Sequence, residues 1–155
     1  MNKKLKNILF FILGLFVYFL PSIVFRTDTN NYNNLKGAFV PNIVFILVWA
    51  VLFAILSFIN TFLFSNRKDY NKKEFRTYFI IMFINYIFIF LFPLGFFVLE
   101  NLFLGYIFTL LTCVTAILLS MQVLLLNKKI TLLYIPYILW TTFATIYSII
   151  LYLKN

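Results

Sequence analysis

The two tryptophans of the chain are its strongest candidates for binding chemistry, because each follows a proline inside a long apolar run. In both runs, large side chains recur every three or four residues, which places them on one face of a helix. The first face carries Pro41, Phe45, Trp49 and Phe53, and the second carries Pro136, Trp140, Ala144 and Tyr147. An indole followed one turn later by a small alanine is expected where a ligand must fit beside the helix.

The alternative interpretation is that both tryptophans belong to the interfacial aromatic belt of a membrane protein. Each tryptophan lies about ten residues into its apolar run, which is roughly 15 Å along a helix at 1.5 Å per residue. That depth disfavours the belt and favours a site inside the membrane.

Acid–base and metal chemistry lack the side chains that they need. The chain has no histidine, and its four acidic residues fall in loops or at helix ends: Asp28, Asp69, Glu74 and Glu100. We therefore predict neither a metal site, nor an activated nucleophile, nor a carboxylate pair. The single cysteine, Cys113, excludes an intramolecular disulfide. Trp49 and Trp140 remain, besides Cys113 and the tyrosines, as the side chains that could take part in oxidative chemistry.

Asn85 is the one polar side chain near the middle of the third apolar run. Lipid offers its amide no hydrogen-bond partner, so the side chain is expected to face the interior of a helix bundle. Two roles remain open for it: a hydrogen bond between helices, worth about 0.6 kcal/mol in a typical case, or a place in the lining of a ligand cavity.

The elements that must position these residues are membrane-spanning helices. With 64% hydrophobic and 11% charged residues and a mean hydropathy of +1.00, the chain is too apolar for a soluble domain of 155 residues. Five stretches are long enough to span the membrane, near residues 7–25, 39–64, 77–93, 102–126 and 130–153. We predict an all-α, five-helix integral membrane bundle that forms a single domain over residues 1–155. The first stretch lacks a cleavage signal and is interpreted as a retained helix.

The basic residues are sorted between the two ends of the predicted bundle. One end carries ten: Lys3, Lys4, Lys6, Arg67, Lys68, Lys72, Lys73, Arg76, Lys128 and Lys129. The other end carries three: Arg26, Lys36 and Lys154. This bias predicts a cytoplasmic N-terminus and an outer C-terminus. The net charge of +9 then reflects topology and anionic membrane lipid as a partner, and no nucleic-acid partner is predicted.

The connecting segments carry turn and cap signals. The asparagine-rich loop 26–38 favours turns over helix, and segment 65–76 is predicted to be a charged connector. The Pro93-Leu94-Gly95 sequence is predicted to end the third helix, and Asn101 is predicted to cap the start of the fourth.

The spacing around the two tryptophans resembles the TspO/translocator protein family, also known as the tryptophan-rich sensory proteins or peripheral benzodiazepine receptors. The family's second helix reads Pro-x-x-x-Phe-x-x-Val-Trp-x-x-Leu-Tyr, matched by Pro41, Phe45, Val48, Trp49, Leu52 and, with a change of type, Phe53. The fifth helix reads Pro-Tyr-x-x-Trp-x-x-Phe-Ala-Thr, matched by Pro136, Tyr137, Trp140, Phe143, Ala144 and Thr145. Asn85, Leu91 and Phe92 match part of the third-helix pattern, and Tyr32 and Leu35 match part of the first-loop pattern.

The resemblance implies a five-helix bundle, commonly a homodimer, with a pocket beneath the first loop that binds porphyrin-type tetrapyrroles. Carried over to this chain, it implies that the two tryptophans flank the ligand, that Asn85 supplies a hydrogen bond and that the remaining residues line the walls. The wall and loop residues are Phe45, Phe53, Phe92, Phe143, Ala144 and Tyr32. Lys36 or Arg26 would receive ligand carboxylates at the rim. No metal and no resident cofactor is implied.

Three functions are consistent with that resemblance. The first is a receptor or sensor that binds a protoporphyrin-like tetrapyrrole in the bacterial cell membrane. The second is an enzyme that degrades porphyrins in light with the help of Trp49 and Trp140. The third is a transporter of porphyrins or lipids.

Overall fold

The structure is a computed structural model that describes residues 2–25 and 30–155, of which the side chains of Asn30 and Asn31 are not described. Its α-helices are α1 (Lys3–Val24), α2 (Asn30–Asn33), α3 (Asn42–Ser65), α4 (Lys72–Pro93), α5 (Leu102–Leu126), α6 (Lys128–Thr131) and α7 (Ile135–Lys154). Five stretches of the described chain are long and apolar enough to cross a membrane: Lys3–Val24, Asn42–Ser65, Lys72–Val98, Leu102–Leu126 and Lys128–Lys154. The all-α, five-helix prediction is confirmed.

Asparagine side chains begin several of these helices. The side-chain oxygen of Asn101 accepts a hydrogen bond from Leu104 N at 3.0 Å, as the sequence predicted. Asn2, Asn71 and Asn127 cap α1, α4 and α6 in the same way. An asparagine oxygen at this position satisfies one of the amides that a helix start leaves without a partner.

The helices extend beyond the predicted apolar limits into charged sequence. Helix α1 begins at Lys3 rather than near residue 7, and α4 begins at Lys72 rather than near residue 77. The ends of long helices reach past the hydrocarbon, where lysine side chains lie in the polar interface. Helix α3 begins later than expected, at Asn42, directly after the extended Pro41. The first loop contains one helical turn, Asn30–Asn33, where only turns were expected; Arg26 and Asp28 lie outside the described residues.

Helix α4 ends at Pro93, as the Pro93-Leu94-Gly95 sequence predicted, but the membrane span continues to Val98. The chain continues from Pro93 into a π-helical turn, Leu94–Val98, in which Leu99 N donates to Leu94 O at 2.9 Å. A proline removes a single helical donor, and a wider turn can absorb that defect without ending the span. Leu99 and Glu100 end this span instead, with Glu100 at a positive φ of 49°.

The order of the helices around the bundle brings the two tryptophan-bearing helices together. Helix α5 packs between α4 and α7, and α1 packs on α3 and contacts α4. Helices α3 and α7 close the bundle through large side chains, among them Phe45 and Trp140, whose ring centroids are 5.5 Å apart.

A tyrosine–asparagine network of Tyr18, Asn60, Tyr78 and Tyr134 occupies the half of the bundle nearer the starts of α4 and α6. The Asn60 amide nitrogen donates to the Tyr18 hydroxyl at 3.1 Å, and the Tyr78 hydroxyl donates to the Asn60 amide oxygen. The Tyr78 and Tyr134 hydroxyl oxygens are 3.2 Å apart. Four helical segments are thereby joined by polar groups that satisfy one another inside an apolar core.

Candidate ligand-binding site

Aromatic side chains from α3 and α7 meet in the half of the bundle beneath the first loop. The Trp140 ring contacts Phe45 at 5.5 Å and Phe143 at 5.3 Å between centroids. Phe143 stacks on Tyr147 at 5.8 Å with 8° between the ring planes. Tilted and offset rings of this kind attract one another by about 0.5–1.5 kcal/mol per pair beyond the burial of their area. With Tyr32 from the loop, these four residues form what we call the lid cluster.

Trp140 joins the lid cluster to the deeper core and carries an unused hydrogen-bond donor. Its indole nitrogen is buried, and it has no hydrogen-bond partner among the residues that the structure describes. A buried donor without an acceptor costs roughly 1–3 kcal/mol. The ring as a whole is only partly buried.

Two tyrosines, Tyr32 and Tyr147, hold the first loop on α7 by hydrogen bonds, and we call this pair the latch. The Tyr32 hydroxyl donates to Val40 O at 2.6 Å and lies 2.6 Å from the Tyr147 hydroxyl. Phe39 N donates to the Tyr147 hydroxyl at 3.1 Å. Burial raises the pKa of the Tyr32 hydroxyl, and its hydrogen bond with Tyr147 raises that pKa further, so the Tyr32 hydroxyl stays protonated at neutral pH. The loop thus closes the bundle above Phe45 as a lid.

A groove of about 530 Å³ runs between α3 and α7 beside Trp140. All of its lining side chains are apolar: Leu47, Val48, Val51, Leu52 and Ile55 from α3, and Pro136, Leu139 and Trp140 from the other side. The groove is open on its outer side, where Leu47, Val51 and Leu139 are more than half exposed. Its wall and the lid cluster share Trp140, which makes this indole the link between the two.

Asn85 faces the bundle interior, as predicted, and its side chain is 1% exposed. Its amide nitrogen donates to Thr112 O at 3.1 Å and to Thr115 Oγ1 at 2.7 Å. Its amide oxygen accepts from the Tyr137 hydroxyl at 2.9 Å. The amide therefore joins α4, α5 and α7, which is the first of the two roles that the sequence left open.

The other predicted site residues divide between two places. Tyr32, Phe45 and Phe143 belong to the lid cluster, and Phe92 lies beside it, stacked on Phe96 at 5.4 Å. Trp49 lies one level deeper, where its ring is 6.4 Å from Tyr137 and 5.3 Å from Phe53. Phe53 is buried against α1, stacked on Tyr18 at 5.3 Å. Ala144 is on α7 and is buried. Lys36 is in the first loop and is exposed.

Comparisons with known proteins show what this chain is similar to. A model of the TspO/MBR family matches residues 7–153. The chain belongs to the TspO/MBR family. Its relatives in that comparison include the Tryptophan-rich protein TspO of Bacillus cereus, 33% identical over 157 residues that cover 100% of both chains. The Uncharacterized membrane protein YtaB of Bacillus subtilis is 27% identical over 150 residues, which cover 96% of this chain and 95% of that protein.

TspO/MBR membership, together with five apolar helices in the described chain, makes this an integral membrane protein. The family resemblance inferred from the two Pro/Trp patterns is confirmed.

Sequence reasoning missed three residues that organise the site of this TspO/MBR chain: Tyr137, Tyr147 and Phe96. Tyr147 shares a helical face with Trp140, and that spacing was the available signal. Tyr137 was part of the fifth-helix pattern, but nothing in the sequence paired it with Asn85. Phe96 was missed because the π-helical turn that carries it was predicted to be outside the helix.

Proposed function

We propose that this TspO/MBR family protein is a membrane receptor that binds a porphyrin-type tetrapyrrole between α3 and α7. The observation that carries the proposal is the buried indole N–H of Trp140, which lacks an acceptor within the described residues. The π face of a metal-free tetrapyrrole can accept a weak hydrogen bond from an N–H group, and its flat shape suits the surrounding aromatic rings.

The apolar groove beside Trp140 supports a ligand that arrives from the membrane. Its lining offers surface for the body of a macrocycle and nothing to bind a charged group. The carboxylates of a porphyrin would therefore extend toward the polar lid, where Lys36 is exposed. Burying them deeper would leave negative charges without partners.

In this proposal Trp140 contacts the ligand, and Trp49 lies deeper in the bundle and supports the ligand from there. Asn85 acts indirectly, because its hydrogen bond positions Tyr137, whose ring lies beside Trp49. Tyr32 and Tyr147 close the lid above the bound ligand. The cytoplasmic placement of the N-terminus, inferred from the charge bias, sets the lid on the outer side of a bacterial cell membrane.

Titration of the full chain in neutral detergent with protoporphyrin IX tests the proposal. The shift of the strong absorption band of the porphyrin reports binding even in variants that lack tryptophan. We expect Trp140→Phe to lower the affinity roughly tenfold, through the lost hydrogen bond and weaker stacking. Trp49→Phe should have a smaller effect.

Phe58→Leu is the matched control, since Phe58 is an aromatic residue on α3 that is 48% exposed. Its porphyrin affinity should equal that of the unmodified chain. Unchanged affinity in the Trp49→Phe, Trp140→Phe double variant would sink the proposal.

A further inference from the structure

The end of the bundle opposite the lid contains a second pocket, formed where α1 begins and α3 ends. It has a volume of about 430 Å³. Its lining includes Lys3 and Lys6 from the first turns of α1, and Arg67, Lys68 and Asp69 from the segment after α3. Trp49 precedes Ser65, the last residue of α3, by 16 residues, which is roughly 24 Å along a helix. The pocket is thus separate from the porphyrin site.

The charges around this pocket are unbalanced. Four cationic side chains face one carboxylate, and all five of these residues are exposed. Like charges collected around one cavity repel one another unless an anion enters. Two different chain segments contribute the four cations, so their convergence depends on the packing of α1 against α3.

Aromatic rings form the floor beneath these cations. The Phe10 and Phe64 rings are 4.7 Å apart and join α1 to α3. The Arg67 guanidinium lies 4.4 Å from the centre of the Phe64 ring, and Lys6 Nζ lies 5.7 Å from that of Phe10. Ser65 Oγ donates to Asn7 Oδ1 at 2.8 Å and ties the two walls together. The pocket therefore combines a cationic rim with an apolar base.

We propose that this pocket binds the phosphate headgroup of an anionic glycerophospholipid. Arginine and lysine at the rim offer charge-assisted hydrogen bonds to phosphate oxygens. The acyl chains would run along the lipid-facing side of α1, where Leu9, Leu13 and Phe16 are about half exposed. The aromatic floor and the apolar helix surface favour a lipid over a free phosphate ion. A zwitterionic headgroup carries a cation of its own, which the basic rim repels.

This site would act as an anchor for one lipid at the lysine-rich end of the bundle. A bound phosphate would bridge the start of α1 to the segment after α3 and screen their mutual repulsion. The proposal does not depend on porphyrin binding, because the two sites share no residue.

Native mass spectrometry of the full chain in neutral detergent tests it. Dioleoyl phosphatidylglycerol and dioleoyl phosphatidylcholine have the same acyl chains and differ in headgroup charge. We expect the anionic lipid to bind at least tenfold more tightly than the zwitterionic lipid. The Arg67→Gln, Lys68→Gln double variant should lower the affinity for the anionic lipid roughly tenfold, because both rim cations on that side are lost.

Lys72→Gln, Lys73→Gln is the matched control, since it removes the same charge from the same end of the bundle without touching the pocket lining. It should change the affinity for the anionic lipid by less than threefold. Equal losses in the two double variants would overturn the proposal in favour of general surface attraction. Displacement of the lipid by millimolar glycerol 3-phosphate would overturn it in favour of a soluble anion. Circular dichroism melting of both variants confirms that they are folded.

Discussion

The tyrosine–asparagine network and the lid cluster treat their buried polar groups differently. In the tyrosine–asparagine network, Tyr18, Asn60, Tyr78 and Tyr134 are hydrogen-bonded to one another. In the lid cluster, the Trp140 N–H is buried with no acceptor anywhere in residues 2–25 and 30–155. The network satisfies its own polar groups, whereas the lid cluster leaves a donor unused at the wall of a groove. Among the described residues, Ser57 Oγ on α3 is also buried without a partner, outside both clusters.

This difference separates residues that hold the bundle together from residues that are available to a ligand. A satisfied buried network rigidifies the helices that it joins. An unsatisfied donor destabilises the free protein, and an acceptor on a ligand removes that destabilisation. The comparison predicts that substitutions in the deeper half change stability and that substitutions in the lid cluster change binding.

Asn85→Leu should have the largest effect on stability, because it removes one bond to Tyr137 and two to α5. We expect the free energy of unfolding to fall by about 2–3 kcal/mol. Part of this loss arises because the Tyr137 hydroxyl is left without a hydrogen-bond partner. Titration of micelles with dodecyl sulfate, followed by circular dichroism, measures it.

The second step of that experiment adds Tyr137→Phe to Asn85→Leu. Since replacing both partners with apolar groups leaves no orphaned hydroxyl, the double variant should be more stable than the sum of the two single changes predicts. The opposite result would be an Asn85→Leu variant that keeps its stability and loses its affinity for protoporphyrin. It would show that Asn85 acts in ligand binding and does not hold the helices together.

Tyr78→Phe should have an intermediate effect. The ring is fully buried and its hydroxyl bridges Asn60 and Tyr134. We expect a loss of about 1–2 kcal/mol in unfolding free energy, with unchanged porphyrin affinity. Tyr152→Phe serves as the control because Tyr152 is 43% exposed, and it should melt like the unmodified chain. A weakened porphyrin complex in Tyr78→Phe would show that the two halves are coupled.

Tyr147→Phe should have the smallest effect on stability and act on the lid alone. The phenylalanine ring keeps the stacking on Phe143, but the bonds to the Tyr32 hydroxyl and to Phe39 N are lost. We expect less than about 1 kcal/mol of destabilisation and a porphyrin dissociation rate about threefold faster, because the lid opens more often. Stopped-flow absorbance measures the rate.

Tyr32→Phe tests the same latch from the loop side. Its dissociation rate should match that of Tyr147→Phe, and the double variant should be no faster than either. Independent, additive increases would mean that the two tyrosines do not form one latch.

Local sequence patterns predicted the helices well and their ends less well. The fourth helix was placed at residues 102–126 and is observed at Leu102–Leu126, because its cap and its apolar length coincide. The end of α4 at Pro93 was predicted because a proline is a local signal, but the π-helical turn that continues the span was not, because it depends on neighbours. Gly95 lies there against Phe108 and Leu104, a packing contact that local patterns do not reveal.

The candidate site was predicted in part. The faces of Trp49 and Trp140 follow from helical periodicity alone, and so does the burial of Asn85, whose polar amide cannot face lipid. The pairing of Asn85 with Tyr137, Thr112 and Thr115 did not follow, since it depends on the rotation of three helices about their own axes.

The sequence by itself determined that this chain is a five-helix membrane protein of the TspO/MBR family with two tryptophans inside the membrane. The length of an apolar run and the periodicity of its side chains are local properties, so the sequence contains them before the chain folds. Only the tertiary structure decided that Tyr147 latches the lid, that the Trp140 N–H is buried without a partner in the described chain, and that four cations converge around one pocket. Those facts depend on distances between residues far apart in sequence, which helix packing sets.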